Sequence, residues 1–257
     1  MEQIIEQKKA STFITLFLFF VFSAVGVVIA YMITDNDDLI GIIAYTVTFL
    51  VLLCYFQLKK GVLEDINFKI RELEVLKILK ILFYCIIFFI MSNFVYWILS
   101  TYTHLKFYNE TENLKPYSKT HLGQLIFFVS LTIFPAVVEE IVFRGVLFKN
   151  LIFRYGLKVA ILATCIIFSF IHGLSDGLNI FLSGGTFYIA YIYYKEKNIL
   201  YPIIFHGVSN FMSLFPRINY ISGDSPNKFI FLFMFALPFI LRKLYQIFIL
   251  EKNSFKF

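Results

Sequence analysis

Five residue types with chemical capability fall at helical spacings in the second half of this chain. Glu139 and Glu140 stand side by side, and Arg144 follows Glu140 by four residues. On a helix Glu140 and Arg144 share a face and can pair, while Glu139 is rotated by about 100° and faces elsewhere. Phe168 precedes His172 by four residues, and His206 precedes Asn210 by four. A carboxylate, two imidazoles and an amide are the parts needed to activate a water molecule and to hold an oxyanion. Read one at a time, each site has a plainer explanation. Glu139-Glu140 could be a solvated helix end, His172 an interfacial histidine, and His206 with Asn210 polar glue between helices.

The elements that carry these residues decide between the readings. Of the 257 residues 59% are hydrophobic and 16% charged, against about 25% charged in an ordinary soluble domain. Such a chain cannot show its helix surfaces to water, and lipid is the solvent that accounts for it. The expected fold is all-α, a polytopic transmembrane bundle of about eight spans, since a crossing helix needs about 20 mostly apolar residues. The spans read as Ser11–Ile33, Leu39–Leu58, Ile81–Thr101, Leu122–Val138, Lys158–His172, Leu178–Tyr194, Ile199–Phe215 and Phe229–Leu250. The fourth runs on through the acids to about Tyr155, and Phe68–Leu79 reads as an amphipathic helix on the membrane surface. Ser183-Gly184-Gly185 reads as a place of close helix packing.

Charge supports the count. Lys8, Lys9, the basic residues of 59–80, Lys149, Arg154, Lys158, Lys195, Lys197, Lys252 and Lys256 fall on one side of an eight-span chain. The acidic Asp35–Asp38 loop falls on the other, which places both termini in the cytoplasm. The loop carrying Lys106, Lys115 and Lys119 runs against this trend. The net charge of +6 is a topology signal, and no nucleic-acid partner is expected. Cys54, Cys85 and Cys165 lie in apolar runs without metal-type spacing and read as buried thiols.

Ionisable groups inside spans cost roughly 2.5–3.5 kcal/mol each on insertion scales and are functional candidates by default. In lipid they must satisfy one another. The fourth, fifth and seventh spans must therefore converge.

Glu139-Glu-Ile-Val-Phe-Arg144 resembles the EExxxR motif of the CAAX protease and bacteriocin-processing family. Phe168-Ser-Phe-Ile-His172 resembles its FxxxH motif and His206-Gly-Val-Ser-Asn210 its HxxxN motif, in the family's order. The resemblance covers about Leu122–Phe215. It divides the chain into N-terminal helices (1–120), a catalytic-type core (121–217) and a C-terminal helix (218–257).

The resemblance implies an intramembrane endopeptidase that cleaves a membrane-associated peptide or protein. Glu139 and His172 would activate the water, and His206 and Asn210 would hold the oxyanion. Glu140, Arg144 and Phe168 would support them. No cofactor is expected. The alternative is zinc held by Glu139, His172 and His206, although HExxH and its inverted form are absent. The rival function is a non-catalytic membrane partner or bacteriocin immunity protein with the same fold. The expected location is a bacterial plasma membrane. The oligomeric state is left open.

Overall fold

The computed structural model describes residues 12–34, 37–58, 66, 68–103, 121–214 and 227–249. These residues form helices, and no strand occurs among them. The helices are α1 (Thr12–Ile33), α2 (Asp37–Leu58), α3 (Val75–Tyr102), α4 (His121–Glu140), α5 (Lys149–Tyr155), α6 (Leu157–Ile171), α7 (Leu174–Ser183), α8 (Gly185–Glu196), α9 (Leu200–Ser213) and α10 (Asn227–Phe248). A π-helix, Ile141–Phe148, joins α4 to α5.

The stretches Ile14–Ile33, Val75–Tyr102 and Ile230–Phe248 are each long and apolar enough to cross a bilayer. Ile42–Gln57 and Leu157–Ile171 are shorter apolar helices. Large apolar side chains point outward over much of the bundle, among them Phe17, Val28, Phe170 and Phe231. That surface suits lipid and not water. The chain is an all-α, membrane-embedded bundle.

The π-helix lies at the centre. Every one of its eight residues is buried, and α1, α4, α6 and α8 pack around it. Phe143 meets Phe19 of α1 and Phe168 of α6 edge to face, with ring centroids 6.0 and 5.1 Å apart. Fully buried Ile66 packs over Gly145, where an added Cβ would lie 3.2 Å from its Cγ1. Helical turns with hydrogen bonds from i to i+5 are rare and frequently occur at functional sites. Here they occur directly after the paired acids.

The helical run from His121 to Tyr155 is unbroken. At 1.5 Å per residue it approaches roughly 50 Å, well beyond a hydrocarbon core of about 30 Å. Glu139 and Glu140 therefore sit near its middle. The helix continues past the expected fourth-span boundary at Val138, and the acids are followed by two more buried helical turns. Sequence reading puts Glu139 and His172 at opposite ends of their spans. The fold instead gathers them around Phe168 and His206, which removes that conflict.

Three other expectations change. Leu178–Tyr194 is not one helix: Gly184 adopts φ +83°, which L-residues with side chains rarely adopt, and the chain breaks there into α7 and α8. The Ser183-Gly-Gly signal marks this break and also the expected close packing, since a Cβ at Gly184 would lie 3.4 Å from the Phe88 ring and one at Gly185 3.8 Å from that of Phe205. Phe68–Leu79 is not a separate surface helix. It forms a short 3₁₀ turn at Ile70–Glu72, and α3 begins at Val75. Asn198 fixes this connector by bonding both the Lys69 carbonyl (2.9 Å) and the Lys69 N–H (3.4 Å), and the Tyr201 hydroxyl donates to the Glu72 carbonyl at 3.2 Å. Cys85 and Cys165 are buried thiols as expected, but Cys54 is exposed on α2.

Helix α6 holds its two ends apart by about 22 Å. Arg154 precedes one end and Asp176 follows the other. An eight-span topology requires that, in a Cys54→Ser background, Arg154→Cys and Asp176→Cys react with an impermeant thiol reagent from opposite faces of the membrane. Labelling of both from one face would exclude an eight-span topology.

Candidate active site

The three motifs lie on α4, α6 and α9. Helix α4 packs against α9 more extensively than any other pair in this half of the bundle, and α6 abuts the π-helix. The motif residues meet where these helices cross.

Glu140 and Arg144 are the innermost. Both side chains have zero exposure, and the Arg144 Nη1–H donates to Glu140 Oε1 at 3.0 Å. Arg144 is the largest fully buried side chain among the described residues. Its guanidinium lies 4.9 Å from the centroid of the Phe168 ring, a cation–π contact strengthened by desolvation. Two i,i+4 charges in an apolar medium stabilise each other only with such close geometry, and either one alone would be an uncompensated buried ion.

His206 adds a second donor to the same carboxylate oxygen. Its Nδ1 lies 2.8 Å from Glu140 Oε1. A carboxylate engaged by Arg144 accepts hydrogen bonds, so the hydrogen is on Nδ1. The other ring nitrogen, Nε2, then points towards Glu139, with Oε2 3.8 Å away. Glu140 thus orients the histidine, in the manner of the carboxylate in a catalytic triad.

Glu139 is 5% exposed. The hydroxyl of Tyr45 on α2 donates to its Oε1 at 2.9 Å. Its Oε2 is buried and has no hydrogen-bond partner. The neighbouring acids are thus differentiated. Both acids are held through Oε1 and have a buried, unpartnered Oε2, but Glu140 Oε1 carries the Arg144 and His206 contacts, whereas Glu139 Oε1 takes only the neutral Tyr45 hydroxyl and its Oε2 faces His206 Nε2.

Phe168 connects the remaining motif. Its ring centroid lies 4.6 Å from that of His172 and 5.6 Å from that of His206. The His172 Nδ1 is 2.7 Å from the Phe168 carbonyl, which can only accept, so Nδ1 carries the hydrogen and Nε2 presents a lone pair. His172 caps α6 just before Gly173, and Gly177 lets α7 fold back: a Cβ there would collide with the Ser169 carbonyl. His172 makes no ion pair with either acid.

Asn210 lies one turn beyond His206, and its amide donates to the Thr132 carbonyl of α4 at 3.3 Å. The structure therefore brings Glu139, Glu140, Arg144 and His206 into direct contact. It holds His172 beside them through Phe168, and Asn210 on the α4–α9 seam. Among the described residues, no group of three or more His, Cys, Asp or Glu side chains is arranged to hold a metal ion.

Tyr45 is the participant that sequence reading misses. It lies outside the three motifs, within the long apolar run of α2, as one of 16 tyrosines. The usable signal is weak: a tyrosine in mid-span needs a partner for its hydroxyl.

Two stability measurements probe this cluster. Arg144→Met should cost about 3–5 kcal/mol in detergent unfolding, and Glu140→Leu/Arg144→Met together should recover much of it. A double-mutant cycle of Tyr45→Phe with Glu139→Met should give a coupling of about 1.5–3 kcal/mol, the range for a hydrogen bond to a charged group. Zero coupling would remove the α2 contact from the site.

No curated protein and no solved structure matches the chain. Its residues 121–212, which carry all three motifs, match the family model described as type II CAAX prenyl endopeptidase Rce1-like, the protease family that the motifs resemble.

Proposed function

We propose that the chain is an intramembrane endopeptidase that hydrolyses a peptide bond of a membrane-associated protein or peptide with a water activated by Glu139. The observation that carries this reading is the free, buried Oε2 of Glu139 beside an orientated His206. A structural ion pair needs Glu140 and Arg144. It does not need a second acid held through one oxygen with the other unpartnered.

In this reading Glu139 Oε2 takes a proton from water as the oxygen attacks the scissile carbonyl, then delivers it to the leaving amine. The Nε2 lone pair of His172 orients the same water. Nε2–H of His206, when the ring is doubly protonated, and the amide of Asn210 donate to the tetrahedral oxyanion. The Glu140 carboxylate stabilises that imidazolium through Nδ1. Asn210 leaves the Thr132 carbonyl to reach the oxyanion, a small cost that substrate binding must offset. Each group moves a proton or donates a hydrogen bond already within its capacity.

The family match and the burial of the site support a substrate class. A peptide reaching Glu139 must enter a bundle whose outer surface is apolar, so a membrane-tethered segment has the easiest access. CAAX-type proteins and leader or signalling precursors both fit that description.

The test compares membrane and secreted peptides from cells carrying wild type or Glu139→Gln at matched protein levels. A precursor should accumulate in the variant, and that precursor identifies the substrate. With it in hand, Asn210→Ala should slow turnover by about 10²–10³, the usual loss for one oxyanion donor. Identical peptide profiles, with a phenotype only on deletion of the whole protein, would instead establish a non-catalytic membrane partner.

A further inference from the structure

Away from the acids, the basic side chains of three helices gather on a group of tyrosines. The Lys243 ammonium of α10 lies 4.7 Å from the ring centroid of Tyr84 on α3, and 5.7 Å from those of Tyr188 and Tyr191 on α8. Lys195, in the last turn of α8, lies 5.8 Å from the Tyr191 ring and 3.5 Å from its hydroxyl. Two ammonium groups thus share one ring. Lys80 stands one turn before Tyr84 on α3, and Arg242 adjoins Lys243 on α10. The Lys77–Glu196 bridge at 2.7 Å fixes the start of α3 beside the end of α8.

No carboxylate pairs with Lys80, Lys195, Arg242 or Lys243 among the described residues, and the nearby Glu196 is committed to Lys77. Lysines that merely mark a membrane face extend into water and separate. Lys243 is instead half-buried among three tyrosine rings, with the more exposed Lys195 against one of the same rings, so Lys243 is held where repulsion from its neighbours is less screened. A bound anion removes that repulsion.

Position identifies the source of the anion. Helix α3 has 28 residues, about 42 Å, and exceeds a hydrocarbon core of about 30 Å by about two turns. Lys80 is five residues from its start, within reach of the headgroup layer. Leu79 and Phe83 of α3 and Leu241 of α10 are exposed beside the cations and offer an apolar track for acyl chains. Basic pockets between transmembrane helices are a recurring solution for anionic headgroups.

We propose that the junction of α3, α8 and α10, built from Lys80, Lys195, Arg242 and Lys243 over Tyr84 and Tyr191, binds the phosphate of an anionic phospholipid headgroup. The site is separate from the Glu139 cluster and does not depend on the protease reading.

The test is native mass spectrometry and thermal unfolding of the detergent-solubilised protein with dioleoyl phosphatidylglycerol, dioleoyl phosphatidylcholine or inorganic phosphate. Phosphatidylglycerol should be retained preferentially and should raise the unfolding temperature. Lys195→Gln/Lys243→Gln should weaken its binding by about 25-fold, roughly fivefold per charge, without altering phosphatidylcholine retention. Lys195→Arg/Lys243→Arg should keep the preference. If the double glutamine variant does not fold, Lys195→Gln alone should show the fivefold loss. Equal retention of the two lipids, or a folded glutamine variant that binds phosphatidylglycerol like wild type, would overturn the site. Equal stabilisation by inorganic phosphate at matched concentration would overturn the lipid source and assign the site to a soluble anion.

Discussion

A guanidinium with no access to solvent governs the centre of this molecule. Arg144 can be buried among Phe143, Phe168 and the residues of the π-helix because Glu140 sits one turn earlier on the same face and Phe168 offers its ring from α6. Removal of either charge would leave the other bare in a low-dielectric interior, a penalty of several kcal/mol. That penalty constrains four elements together: α4 must carry Glu140 and the π-helix Arg144, α6 must deliver Phe168, and α9 must bring His206 to the remaining side of Glu140. The paired acids acquire different surroundings as a consequence, and the chemistry proposed for the site rests on that difference.

The backbone around the site is irregular where the side chains are most constrained. A π-helix follows the acids, Gly173 and Gly184 take positive φ, and the α7–α8 break comes soon after His172. In a membrane such departures are tolerated where protein encloses them, because exposed backbone groups in lipid go unsatisfied. The burial of the whole π-helix meets that condition. The long regular helices α1, α3 and α10 lie around this core and face outward with apolar side chains. Regularity on the outside and irregularity inside follow from the same requirement for hydrogen-bond satisfaction.

The N-terminal half contributes more than a lipid-facing jacket. Helix α2 supplies the hydroxyl that holds Glu139, and Ile66 seals the π-helix at Gly145. Helix α3 carries tyrosine and lysine to the basic junction at α8 and α10. The segment 121–212 that matches the protease family is thus completed by side chains from outside it.

The amino-acid sequence by itself determined the solvent, the fold class and the motif residues. Long apolar runs with few charges can only be helices in lipid, and charges within them stand out because they are costly there. The 3.6-residue period alone pairs Glu140 with Arg144 and puts His206 and Asn210 on one face. Tertiary structure decided the rest. Nothing local distinguishes Tyr45 from the other tyrosines, since its partner lies 94 residues away. The depth of the acids depended on whether the helix continued past Glu140, and apolar residues there fit both a buried helix and an amphipathic surface stretch. Whether Ser183-Gly-Gly would break the helix as well as pack was equally undetermined, because glycine permits a continuous helix or a break and only the surrounding helices select between them.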